Sequence, residues 1–133
     1  MKNQENIKAL VVEEDRAVVN SIERVLKDKS YSVTHSSGEE EALDLLRKTP
    51  YPLVMIGNAK GAGSTFDVMR KIVMTSPMTA IILISDLPTK EVDDKAEGYG
   101  ILGHVNRSIP CNDLVVLIEQ FEKISQSIHP PKT

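Results

Sequence analysis

Four short stretches hold the side chains that could do chemistry. Glu13-Glu14-Asp15 sets three carboxylates in a row, Ser85-Asp86 offers a hydroxyl beside another acid, and Arg107 brings a guanidinium. Between them in sequence lies Gly57-Asn58, a position with no side chain followed by an amide. Carboxylates can hold a divalent cation, and a hydroxyl with an arginine suits phosphoryl oxygens. Converging on one crevice, these groups would form an oxyanion and divalent-metal site. Taken apart, each has an ordinary role: acids are favoured at a helix start, Ser85 can satisfy backbone at a strand end, and Arg107 can be a surface cation. No nucleophile–base pair and no histidine cluster with metal-ligand spacing is visible, so no enzyme activity is expected.

The elements that would position these groups follow from the apolar pattern. Short apolar runs alternate with helical periodicity, which marks βαβ units. Residues 9–12, 53–56 and 80–84 are continuous apolar runs, as strands covered on both faces require. Residues 31–35 and 103–106 are short and interleaved with polar residues, as edge strands tend to be. Helices are predicted over 16–27, 65–75, 90–97 and 112–125. A further helix opens at Ser37-Gly38-Glu39-Glu40 and is closed by Pro50 and Pro52. The predicted fold is α/β and flavodoxin-like: a doubly wound five-stranded parallel sheet of order 2-1-3-4-5 with five helices and right-handed crossovers. Ligands of such sheets bind beyond the carboxyl ends of the strands, and all four stretches fall there.

The chain's 133 residues fit one domain. With 41% apolar residues but only 4% aromatic, its core must be aliphatic. Methionines 55, 69, 74 and 78 lie in or next to core patterns. A formal charge of −3 without a basic run gives no direct nucleic-acid contact. Nothing approaches the about 20 apolar residues of a membrane helix, and the polar start of the chain is not a signal peptide. Cys111 is the one cysteine, so no internal disulfide forms, and a cytoplasmic location is the simplest expectation. Residues 1–6 are expected to be disordered, 7–125 to form the domain and 126–133 to be a flexible tail. The loop 57–64 follows a strand and precedes a helix, yet contains no Gly-Lys-Ser/Thr and so is not a P-loop. A flexible loop is favoured over a nucleotide-binding or small-ligand module using these residues.

The segments ALVVEED, YPLVMIGNAKGAGSTFDVMRKI, IILIS and GHVNRSIPCNDL occur in this order, and together they resemble the receiver domains of two-component response regulators over about residues 7–125. The resemblance puts the family's acid pair at Glu13 and Glu14, its Ser/Thr at Ser85, its lysine at Arg107 and its switch aromatic at His104. It implies a protein partner: a histidine kinase, an output domain or another regulator. In the family, the face of helix four, strand five and helix five makes such contacts. Here that face carries Lys90, Glu91, Asp93, Asp94 and Lys95, and then Glu119, Glu122 and Lys123. Oligomeric state is left open.

The departures from the family pattern bear on function. The family's phosphoacceptor aspartate falls on Gly57, which has no side chain to phosphorylate. The acid pair is Glu-Glu, one methylene longer than Asp-Asp on each side, so Glu13 and Glu14 are expected to bind Mg2+ weakly and vestigially, and no cofactor is required. Lysine is replaced by the planar fork of Arg107. The expectation is a degenerate receiver, a pseudo-receiver that acts by phosphorylation-independent protein–protein interaction, with Arg107 reaching Glu13 or Glu14 and filling the pocket. The alternative within the family is a working phosphorelay receiver that accepts phosphate at another residue.

Overall fold

Strand and helix alternate through the chain as the apolar runs require. The order is β1 (Lys8–Val12), α1 (Arg16–Asp28), β2 (Ser32–Ser36), α2 (Glu39–Lys48), β3 (Leu53–Ile56), α3 (Thr65–Thr75), β4 (Ala80–Ser85), α4 (Thr89–Ala96), β5 (Gly103–Asn106) and α5 (Pro110–Ile128). The computed structural model describes residues 7–108 and 110–128. Residues 1–6, expected to be disordered, and 129–133 of the expected tail lie outside the described residues. Helix α5 runs to Ile128, three residues past the predicted end at 125.

The five strands form one parallel sheet of order β2-β1-β3-β4-β5, so the three apolar runs are its centre and the two mixed strands its edges. Successive residues of a strand point to opposite faces, and the core divides accordingly. Val11, Met55, Ile82, Ile84 and Val105 pack under α1 and α5 with Ile22, Leu26, Leu114 and Ile118. Leu10, Val12, Val54, Ile56 and Leu83 pack under α2, α3 and α4 with Leu46, Met69, Ile72 and Val92. The alternation sets the face on which each strand-end residue emerges.

Local signals fix the helix starts at the site. Asp15 caps α1, its side chain accepting from the Ala17 amide at 2.9 Å, and Ser64 caps α3, accepting from the Asp67 amide at 3.2 Å. The β3–α3 loop is anchored midway. Lys60 pairs with the turn before α2, donating to the Ser37 carbonyl at 2.9 Å and accepting from the Glu39 amide at 3.0 Å. The loop thus crosses over the end of β1, which lies between β2 and β3.

Helix α5 is held to the α1–β2 turn. The Tyr31 hydroxyl donates to Glu122 at 3.0 Å, its ring lies 6.4 Å from that of Phe121, and Lys29 approaches Glu119 at 3.9 Å. Burial and then the Glu122 carboxylate push the Tyr31 hydroxyl well above its ordinary pKa. Two of the charges expected to face a partner, Glu119 and Glu122, therefore point at α1 and its turn, because the core stripe of α5 carries them to that side. The methionines divide between the core and its margins. Met55 and Met69 are fully buried, whereas Met74 and Met78 are 84% and 90% exposed, standing at the end of α3 and in the turn beyond it, where no core face exists.

Candidate functional site

Strand alternation gathers the site. Glu13 continues the series Ala9, Val11 on β1, Gly57 continues Leu53, Met55 on β3, and Arg107 continues Val105 on β5. All three therefore emerge toward the α1/α5 face. The backbone ladder runs one step beyond the strands, with the Glu13 amide donating to the Ser36 carbonyl at 3.0 Å and the Gly57 amide to Val12 at 2.8 Å. Glu13 is thus held on both sides at the sheet's carboxyl end.

There Arg107 forms a two-pronged ion pair with Glu13. Nη1 donates to Oε1 at 2.6 Å and Nη2 to Oε2 at 2.9 Å, the fork geometry that makes arginine–carboxylate pairs strong. Two amides complete the carboxylate's shell: Asn58 N donates to Oε1 at 2.9 Å and Asp15 N to Oε2 at 2.9 Å. Glu13 is fully buried and the Arg107 side chain 15% exposed. A charge so enclosed would be costly alone, but here every carboxylate oxygen has two donors. Hydrogen bonding to Glu13 raises the Arg107 pKa; burial opposes this, and the charges of Glu13, Asp15 and Asp86 add to it.

Glycine at 57 is what leaves room for the pair. A Cβ there would lie 1.9 Å from Glu13 Oε1 and 3.1 Å from Arg107 Nη1. Gly57 is not one of the glycines with positive φ, so its backbone would accept another residue, but the space would not.

The other predicted site residues stand apart. Glu14 is exposed and, one residue on from Glu13, points away from the pair; it lines a crevice of about 190 Å³ with Asn58, Ala59 and Ser64. Ser85 shares the face of Leu83, so its hydroxyl stays out of the pair and accepts from the Leu87 amide at 3.1 Å. Ser85 and Arg107 meet only as walls of a second crevice of about 270 Å³ between β4, β5 and α3. His104 is half-buried opposite Leu83 in the β4–β5 register. Both crevices are smaller than the about 300–1,000 Å³ of typical ligand pockets, and on its other side the glycine-rich loop, through Lys60 and Gly61, borders a wider open crevice of about 750 Å³ against the start of α2.

One site residue was missed from the sequence. His35 of β2 donates from Nε2 to the Glu13 carbonyl at 2.8 Å, and its Nδ1 lies 3.5 Å from Arg16 Nη1. In the sequence it reads only as one residue of an edge strand. Its opposition to Val11 across the β1–β2 ladder is the signal that could have found it.

No family model matches the chain. Over 120 residues, 90% of the chain, it is 23% identical to the cell cycle response regulator CtrA of Brucella ovis, and the Brucella abortus S19 protein of the same name matches equally. The chain spans 52%, about half, of the length of these curated relatives. Among solved structures, the signal receiver domain of an HD domain-containing protein from Pseudomonas fluorescens Pf-5 superposes with a TM-score of 0.81 at 17% identity, covering 99% of this chain and 98% of that one. A CheY-like response regulator receiver domain protein from Methanospirillum hungatei gives 0.79 at 16% identity, with 92% and 99% covered.

The chain has the receiver-domain fold. In the receiver frame, the carboxyl-end pocket is where the acid pair, the hydroxyl and the cation were expected to meet. Only two of them do, Glu13 and Arg107. As a receiver pocket it is filled from within: the carboxylate comes from β1, the cation from beyond β5, and β3 contributes only an absence of side chain at Gly57.

Proposed function

We propose that this chain is a receiver-like signalling domain that works without phosphoryl transfer at residue 57, through contact with a protein partner. The observation that supports it is the Glu13 carboxylate lying where any side chain at 57 would begin. A receiver is switched when a carboxylate in this pocket gains a phosphoryl group. Here the pocket's carboxylate is fully buried and bonded through both oxygens to Arg107, so it has no free lone pair directed at a phosphodonor. The ion pair joins the end of β1 to the β5–α5 connection and holds these loops in one arrangement.

A histidine kinase, an output domain or another regulator is the kind of partner such a domain meets. The exposed charges of α4, Lys90, Glu91, Asp93, Asp94 and Lys95, are available for a specific electrostatic contact. On this reading the domain has no catalytic role and no direct nucleic-acid contact of its own, and its place is the cytoplasm. Among the described residues, no helix is long and apolar enough to cross a membrane.

The test is intact mass after incubation with acetyl phosphate and Mg2+. The wild-type chain is expected to stay unmodified. A Gly57→Asp, Glu13→Asp double variant, which shortens the obstructing side chain as it adds the acceptor, is the comparison that asks whether the rest of the pocket is competent. Gain of a phosphoryl group by the wild type would overturn the proposal.

A further inference from the structure

The receiver resemblance implies a divalent cation at the acid pair, and the donor set found here does not fit one. Mg2+ requires near-octahedral oxygen ligands at about 2.0–2.1 Å. Glu13 Oε1 already accepts from Arg107 Nη1 and the Asn58 amide, and Oε2 from Arg107 Nη2 and the Asp15 amide. The Gly57 carbonyl accepts from the Thr65 hydroxyl at 3.0 Å, and residue 57 has no side-chain oxygen to add. Glu14 is exposed on the other side of the chain from the ion pair. Among the described residues, no three His, Cys, Asp or Glu side chains are grouped to hold a metal.

We propose that the Arg107 guanidinium is a built-in counter-ion that takes the place of a divalent cation, making the pocket independent of metal and closed to it. This inference rests on reading the pocket as one that no longer transfers phosphate, and it adds how the pocket's charge is balanced. A buried carboxylate needs a positive partner. A divalent cation could reach Glu13 only by prising the guanidinium from both oxygens, which would leave a second cation in the same enclosed space. Asp15 Oδ2, 4.0 Å from Arg107 Nη2, adds a second negative charge near the guanidinium. Because arginine stays protonated at any physiological pH, the counter-charge is permanent and independent of metal supply.

The test is Mg2+ binding by the whole chain without a phosphodonor, read by titration calorimetry and by thermal unfolding at matched ionic strength. The wild type is expected to show no saturable heat and no change in Tm at millimolar Mg2+. Arg107→Ala strips the buried carboxylate of its cation and is expected to gain saturable binding, with a Tm that climbs as Mg2+ is raised. Arg107→Gln, which keeps an amide donor toward the carboxylate, is measured beside it in case the alanine variant does not fold, and is expected to gain the same response. Adding Glu13→Gln to either variant should abolish that gain. Saturable Mg2+ binding by the wild type would overturn the proposal, and so would folded Arg107 variants that stay blind to Mg2+. Phosphoryl labelling is a separate readout: a wild type that binds Mg2+ but is never labelled removes the counter-ion alone, whereas labelling removes the function on which it rests.

Discussion

The carboxylate of Glu13 occupies the volume into which a side chain at Gly57 would grow, with Oε1 only 1.9 Å from the nearest Cβ position. The two residues therefore depend on one another. Glycine at 57 permits glutamate at 13 to turn inward, and the inward glutamate forbids anything larger than glycine. Gly57→Ala should destabilise the domain by about 3 kcal/mol or more, because the shift that relieves the overlap also breaks the ion pair. Urea unfolding measures it, and a Gly57→Ala, Glu13→Ala double variant should lose much less than the sum of the two single changes.

Arg107 has two functions in the pair, charge and shape, and two substitutions separate them. Arg107→Ala leaves a buried carboxylate unpaired and should cost about 3–5 kcal/mol. Arg107→Lys keeps the charge but replaces the fork with a point, and should cost about 1–2 kcal/mol. Equal losses in chemical denaturation would mean that charge contributes nothing beyond geometry.

At Tyr31 the sign of the pH effect can be worked out. Its pKa is raised in the folded state by burial and by Glu122, so above the ordinary tyrosine pKa of about 10 the unfolded chain releases a proton that the folded one keeps. The stability tied to this group is complete below that pH and is lost as pH rises beyond it. Tyr31→Phe should lower stability near neutrality by about 1–2 kcal/mol through loss of the bond to a charged acceptor. It should also flatten this alkaline decline, which unfolding curves across the alkaline range would reveal.

Met74 and Met78 should oxidise well before Met55 and Met69. The first two are 84% and 90% exposed and the others fully buried. Brief peroxide treatment followed by peptide mass mapping checks this. Sulfoxide appearing first at Met55 or Met69 would mean that the sheet is less closed than described.

Much of this architecture was legible in the sequence, because a strand buried on both faces has no choice but to be apolar. Residues 53–56 and 80–84 could be little else, and the two mixed runs had to be edges. That Arg107 could reach Glu13 or Glu14 follows from the receiver resemblance together with the missing side chain at Gly57, not from the strand ends alone. Strand alternation decides which acid turns inward: Glu13 follows Val11 by two residues and Arg107 follows Val105 by two, on one face. The same count sends Ser85 to the opposite face, with Leu83. What stayed hidden was carried by backbone and turns. The amides of Asp15 and Asn58 have no sequence signature, and neither does the pairing of Lys60 with the turn before α2.

The attachments of α5 have a mechanical meaning. Near its start, Arg107, three positions before Pro110, is tied to Glu13 and reaches toward Asp15. Further along, Glu119 and Glu122 are tied to Lys29 and Tyr31. A beam fastened at one end swings about that end, but a beam fastened at two points cannot swing about either. Torque applied to α5 must therefore travel into α1 and the first edge of the sheet, so this helix behaves as a strut of the domain and not as a lever resting upon it.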